Sequence, residues 1–127
     1  MNKIFFKKSK KFIYLKDIFN ICNYYEKKFS NKKIFGASNI KEAKIGDVTF
    51  FNDLKYEHDI NITKASACIV SKKLAKYLNK NIIPIISQNP LLDFYKTVIF
   101  FYPDSSNDNE KVINSKKKNQ FSKKIFL

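Results

Sequence analysis

Apolar residues recur with a helical period near the start of the chain. They occupy Leu15, Ile18, Phe19, Cys22 and Tyr25. Because positions three and four apart lie on the same side of a helix, this spacing predicts an amphipathic helix of about three turns. We expect its apolar side to pack against a sheet.

Short apolar runs in the middle of the chain predict that sheet. The strand candidates are residues 34–37, 48–51, 67–71 and 82–87. The turn pair Gly46-Asp47 precedes the second candidate, and the last two have the composition of buried strands. Pro84 cannot donate a ladder hydrogen bond, so it predicts that the last strand lies at an edge or contains a bulge. Short helices are predicted at residues 56–60 and around residues 74–78.

The clearest local pattern begins at Asn89-Pro90. Asn is a good N-cap residue and Pro fits the first helical turn, so together they predict the start of a helix. Apolar residues then recur with a helical period up to Tyr102, and Pro103 predicts the end of the helix. Strands therefore alternate with helices over residues 12–103. We predict a small single α/β domain with a short mixed sheet flanked by helices.

The two ends of the chain differ from this domain in composition. Residues 1–11 are rich in Lys and form a predicted basic N-terminal extension. Residues 104–127 consist mostly of Ser, Asn, Asp and Lys, with few apolar side chains before Phe121. A segment of this composition buries too little apolar surface to fold, so we predict a disordered, Lys-rich C-terminal tail.

A net charge of +14 raises a second interpretation. A basic interaction protein could contact nucleic acid or an anionic membrane surface through its Lys-rich ends. All 25 basic residues, however, are Lys, whereas Arg is the preferred residue for bidentate recognition of phosphate and guanine. Lys, Asn, Ile and Phe share A- and T-rich codons, so a biased genome explains the charge equally well. We expect no specific nucleic-acid partner.

The inventory of catalytic side chains is short. His58 is the single histidine and lies in no nucleophile motif, and no zinc, Walker or dinucleotide-binding pattern occurs. Cys22 and Cys68 stand among apolar neighbours, which predicts reduced, buried thiols. We therefore expect no metal and no cofactor. The sequence has no secretory signal peptide and no membrane-spanning apolar run, so we expect a cytoplasmic protein.

One segment does suggest a binding site. A strand ending in Phe50 and Phe51 runs into a polar turn, which would place Phe50 and Tyr56 around a common mouth with Asp53 between them. Two aromatic rings and one polar group can hold a flat heterocycle by stacking and a hydrogen bond at its edge. The alternative is that Phe50 and Phe51 are core residues, one on each side of the strand.

Residues 14–103 also resemble a known domain. The matching segments are LKDI at residues 15–18, AKIGDVTFF at 43–51, KY at 55–56, KASACIV at 64–70 and NP at 89–90. In order and spacing they are similar to the N-terminal, non-repeat domain of the UDP-3-O-(3-hydroxyacyl)glucosamine N-acyltransferase family of the lipid A pathway. The resemblance implies a fold like the N-terminal domain of some Mur ligases. It also implies that this domain holds the uridine end of a UDP-sugar.

In that family, a Phe and a Tyr sandwich uracil, and an Asn midway between them hydrogen-bonds its edge. Phe50 and Tyr56 match this pattern, but the middle position here is Asp53. An amide can pair with both a donor and an acceptor of uracil, whereas a carboxylate can only accept. Losing that pairing costs about 1–3 kcal/mol, so we expect Asp53 to weaken uracil binding.

The family's catalytic domain is a β-helix of glycine-punctuated hexapeptide repeats, and this sequence has no Gly after Gly46. We therefore expect the repeats to be absent and assign no catalytic residue. The resemblance implies that contact with acyl carrier protein and trimer formation both require those repeats. Three interpretations remain: a stand-alone or truncated uridine-binding domain, inactive alone as an acyltransferase; the basic interaction protein; and a degraded gene product without activity.

Overall fold

The computed structural model describes residues 11–103. Its strands are β1 (Ile13–Tyr14), β2 (Lys33–Ile34), β3 (Gly36–Ala37), β4 (Asp47–Phe51), β5 (Ala67–Val70) and β6 (Ile83–Ile86). Its α-helices are α1 (Leu15–Ile21), α2 (Glu57–Ile62) and α3 (Pro90–Phe101), and short 3-10 helices occupy Leu54–Tyr56 and Ala75–Tyr77. This order confirms the predicted small α/β domain.

Four strands form a parallel sheet in the order β3-β4-β5-β6. β1 and β2 form a separate antiparallel pair, so parallel and antiparallel pairing both occur. The predicted strand at residues 34–37 is divided between β2 of the antiparallel pair and β3 of the parallel sheet. At the point of division, the N–H of Phe35 donates a hydrogen bond to the carbonyl of Gly46 in the loop before β4 (2.8 Å). Pro84 is exposed and lies in the edge strand β6, as predicted.

The apolar residues form one cluster on each side of the sheet. The first contains residues of α1 and α3 together with Val48, Ile69 and Ile85 of the sheet. The second contains Phe51 and Cys68 of the sheet, with residues from α2 and the segment around the 3-10 helix Ala75–Tyr77. All four residues of β5 are buried, as expected for a central parallel strand covered on both sides.

The first helix is shorter than its apolar period predicts. α1 ends at Ile21 because Asn23 adopts a left-handed conformation with φ of 55°. The N–H of Tyr24 then bonds to the carbonyl of Phe19 (2.9 Å), which closes the helix end in a Schellman arrangement. Tyr25 therefore lies outside the helix and is 79% exposed, whereas Leu15, Ile18, Phe19 and Cys22 are buried as predicted.

The last helix begins as predicted. The Asn89 side chain accepts a hydrogen bond from the N–H of Leu92 (3.4 Å), and Pro90 occupies the first turn. A buried pair supports the same end, since the Ser87 hydroxyl donates to Asp93 Oδ2 at 2.6 Å. α3 is thereby fixed against the sheet and contacts β3, β4 and β5.

The predicted basic extension, apart from Lys11, and the predicted tail at residues 104–127 lie outside the described residues. Within residues 11–103, none of the helices is long and apolar enough to cross a membrane.

Candidate functional site

A cavity of about 360 Å³ lies beyond the carboxyl ends of β3 and β4. Its walls come from the segment after β3 and from the end of β4 with the turn that follows: Asn39, Ile40, Lys41, Glu42, Phe50, Phe51, Asn52, Asp53, Lys55 and Tyr56. Ligands of open α/β sheets bind in this position, outside the carboxyl ends of the strands. The structure thus brings Phe50, Asp53 and Tyr56, the three site residues proposed from the sequence, to one cavity.

Phe50 and Phe51 lie on opposite sides of β4. Phe51 is 1% exposed and belongs to the second apolar cluster. Phe50 is half-buried, and its ring centroid lies 4.7 Å from that of Phe94. The core interpretation therefore holds for Phe51. Phe50 has both roles, because it packs on the first cluster and also contributes to the cavity wall.

The turn after β4 positions Asp53 and Tyr56. Asp53 Oδ1 accepts a hydrogen bond from the N–H of Lys55 (3.0 Å), so its carboxylate is the N-cap of the 3-10 helix Leu54–Tyr56. Tyr56 is half-buried and packs against the second cluster, while the Lys55 ammonium lies 5.2 Å from the centroid of its ring. The cap fixes the turn and, through it, the position of Tyr56.

The segment after β3 supplies the opposite wall, which the sequence interpretation did not include. Asn39 Oδ1 accepts hydrogen bonds from the N–H groups of Lys41 and Glu42 (3.0 Å each). The carbonyl of Asn39 accepts a third from Ala43 (3.0 Å). This turn is ordered by its own hydrogen bonds. It meets the β4 turn because β3 and β4 pair in parallel, a contact that short-range sequence patterns do not encode.

The charges on the cavity wall are balanced, with Lys41 and Lys55 opposed by Glu42 and Asp53. Aromatic and aliphatic side chains supply the rest of the wall together with the amides of Asn39 and Asn52. A few polar groups set among apolar ones are typical of small-molecule sites, and the volume lies in their usual range of about 300–1,000 Å³.

The remaining candidate groups lie elsewhere. His58 is exposed and does not line this cavity. Cys22 and Cys68 are free and buried, as predicted. Burial raises the pKa of the Cys22 thiol to about 12, with the nearby Asp93 carboxylate adding to the effect. Burial also raises the pKa of Cys68. Both are therefore neutral thiols near pH 7 and unsuited to nucleophilic chemistry.

Comparison with known proteins identifies relatives of this chain. A relative from Rickettsia prowazekii (strain Madrid E), a UDP-3-O-acylglucosamine N-acyltransferase, is 29% identical over 102 residues, which is 80% of this chain and 28% of the relative. The protein of the same name from Rickettsia conorii (strain ATCC VR-613 / Malish 7) is 33% identical over 76 residues, 60% of this chain and 22% of the relative. The chain thus spans about a quarter of the length of the curated relatives it matches. The model of the family UDP-3-O-(3-hydroxymyristoyl) glucosamine N-acyltransferase, LpxD, matches residues 31–99, more than half of the chain, and the chain belongs to this family.

Proposed function

We propose that the cavity after β4 binds the uridine end of a UDP-sugar, as part of the substrate recognition of a lipid A pathway N-acyltransferase. One observation carries the proposal: Phe50, Asp53 and Tyr56, which match the uracil-binding pattern at two of its three positions, line a single cavity. We assign none of the described residues to the acyl-transfer step itself.

Stacking supplies most of the expected affinity. A base stacked on one aromatic side chain gains about 1–3 kcal/mol. Phe50 is held from behind by Phe94, and Tyr56 is held by the second cluster, so neither ring has to be ordered by the ligand. Preorganised rings lose little side-chain entropy on binding, which preserves the stacking energy.

Asp53 is the polar side chain that we expect to face the hydrogen-bonding edge of the uracil base. Its Oδ1 accepts a hydrogen bond from the N–H of Lys55, so we expect Oδ2 to be the oxygen that meets a ligand. That oxygen can accept from the N3–H of uracil but repels the carbonyl oxygens on either side of it. We therefore expect weak binding, with a dissociation constant near ~1 mM, equivalent to about −4 kcal/mol.

Titration of the full chain with UDP, followed by NMR, tests the proposal. The resonances of Phe50 and Tyr56 should shift and saturate. Tyr56→Ala should abolish saturation below ~10 mM, because it removes about 1–3 kcal/mol of stacking. Tyr25→Ala is the matched control, since Tyr25 is 79% exposed and lines no part of the cavity. Unmoved Phe50 and Tyr56 resonances at saturating UDP would refute the uridine site.

A further inference from the structure

An exposed apolar face lies at the amino ends of β3 and β4, at the opposite end of the sheet from the cavity after β4. Phe35 directly precedes β3 and is 49% exposed, while Ile45 lies in the turn before β4 and is 81% exposed. The two segments adjoin because the N–H of Phe35 bonds to the carbonyl of Gly46, the residue after Ile45 (2.8 Å). Together with Phe12 and Tyr14, Phe35 and Ile45 form what we call the amino-end face.

The aromatic rings of this face contact one another. The ring centroid of Phe12 lies 6.0 Å from that of Phe35 and 5.4 Å from that of Tyr14, and both pairs meet edge to face. Backbone pairing supports this arrangement, because β1 and β2 place Tyr14 directly opposite Lys33. The rings are therefore positioned by the fold of the chain itself, and a partner would not have to order them.

Exposed lysine side chains border the amino-end face. The Lys33 ammonium lies over the ring of Phe12, 4.6 Å from its centroid, and the Lys16 ammonium lies over the ring of Tyr14 at 5.6 Å. These are cation–π positions, in which the ammonium occupies the side of the ring on which a nucleobase would stack. The arrangement therefore disfavours a stacking platform for nucleic acid.

Two carboxylates bonded to this region are already engaged with backbone groups. Asp17 Oδ2 accepts a hydrogen bond from the N–H of Tyr14 (3.1 Å). Asp47 is 3% exposed, and its Oδ2 accepts from the N–H of Lys44 (3.1 Å). The face thus combines exposed apolar side chains with lysines at its border. This combination is complementary to a bilayer surface with anionic headgroups, where apolar groups enter the headgroup region and lysines contact phosphates.

We propose that the amino-end face binds the surface of a membrane that contains anionic phospholipids. Phe35 and Ile45 enter the headgroup region, and Lys16 and Lys33 contact lipid phosphates. An aliphatic side chain such as Ile45 gains free energy when lipid covers it but cannot stack on a base, which favours a membrane over a nucleic acid. The proposal does not depend on the uridine site. A membrane bound here leaves the cavity after β4 open, because that cavity lies at the other end of the sheet.

Co-sedimentation of the full chain with lipid vesicles tests the proposal. The chain should bind vesicles of equal parts phosphatidylcholine and phosphatidylglycerol more tightly than vesicles of phosphatidylcholine alone. Ile45→Ser should weaken binding to the anionic vesicles about threefold to tenfold, because it removes apolar surface that lipid would cover. Leu92→Ser is the matched control, since Leu92 is 44% exposed near the start of α3, at the carboxyl end of the sheet, and it should leave binding unchanged. Lys33→Gln should weaken binding about fivefold, whereas Lys73→Gln, at an exposed position after β5, should not.

Three outcomes would overturn the proposal. The first is the absence of binding to the anionic vesicles. The second is an equal effect of Ile45→Ser and Leu92→Ser, or of Lys33→Gln and Lys73→Gln, because it would show general attraction by a chain of net charge +14 and no role for this face. The third concerns a single-stranded oligonucleotide as the competing ligand: if Ile45→Ser weakens its binding as much as vesicle binding, the face is a nucleic-acid surface.

Discussion

At the scale of single residues, Asp53 caps a turn and, in the proposed function, also meets the base, and substitution can separate these two roles. It caps a 3-10 helix through Oδ1, and it lines the cavity after β4. Asp53→Asn keeps an oxygen for the N–H of Lys55 and replaces the other carboxylate oxygen with an NH₂ donor. Because uracil has two carbonyl acceptors at this edge, we expect the variant to bind UDP about fivefold or more tightly in the same titration, corresponding to about 1 kcal/mol.

Asp53→Ser is the matched control for the cap. Serine also caps helix N-termini, but it has no amide group that could pair with a donor and an acceptor of the base together. We expect the free energy of urea unfolding to stay within about 0.5 kcal/mol of the parent, with no gain in UDP affinity. An affinity for UDP that is unchanged or reduced in Asp53→Asn would contradict the hydrogen-bond argument.

At the scale of elements, the start of α3 is the feature that local chemistry specifies best. Asn89 caps the helix from an exposed position, so its replacement leaves no cavity in the core. Asn89→Ala removes the acceptor for the N–H of Leu92 and should lower the free energy of unfolding by about 1 kcal/mol in urea denaturation.

Asn89→Asp keeps an oxygen acceptor and adds a negative charge at the positive end of the helix dipole, so its stability should match or exceed that of the parent. Equal stability of the Ala and Asp variants would show that Pro90 and the Ser87–Asp93 pair fix the helix start without the cap.

At the scale of the whole molecule, the buried thiols link stability to alkaline pH. Burial, assisted by Asp93, raises the pKa of Cys22 from 9.0 to about 12 in the folded chain. A thiol whose pKa is raised by folding stabilises the fold fully below the unfolded pKa, and this contribution is lost as the pH rises from about 9 toward about 12. We therefore expect the free energy of unfolding to fall between pH 8 and pH 10.5, with about 1–2 kcal/mol of the loss due to Cys22.

Urea unfolding of Cys22→Ala at the two pH values isolates this contribution. The variant should be less stable at pH 8 but should lose less stability at pH 10.5, because alanine has no proton to release. Tyr25→Phe removes an exposed hydroxyl and should follow the wild-type pH dependence. Parallel pH dependences for wild type and Cys22→Ala would show that the thiol is not coupled to folding.

The sequence by itself determined the features that depend on neighbouring residues. The Asn89-Pro90 start of α3, the buried run of β5 and the edge position of Pro84 follow from capping, apolar content and a missing N–H, which act within a few residues. Phe50, Asp53 and Tyr56 also share one cavity because the end of a strand and the next turn lie within seven residues of each other.

Only the tertiary structure decided which residues form the cavity wall opposite Phe50, Asp53 and Tyr56. Parallel pairing of β3 with β4 brings Asn39 and Lys41 to the cavity. The left-handed Asn23 ends α1 before Tyr25 although the apolar period continues, because a backbone conformation outweighs periodicity at a helix end. The chain's own pattern thus specifies one wall of the cavity, whereas the opposite wall depends on the pairing of two strands and not on patterns of neighbouring residues.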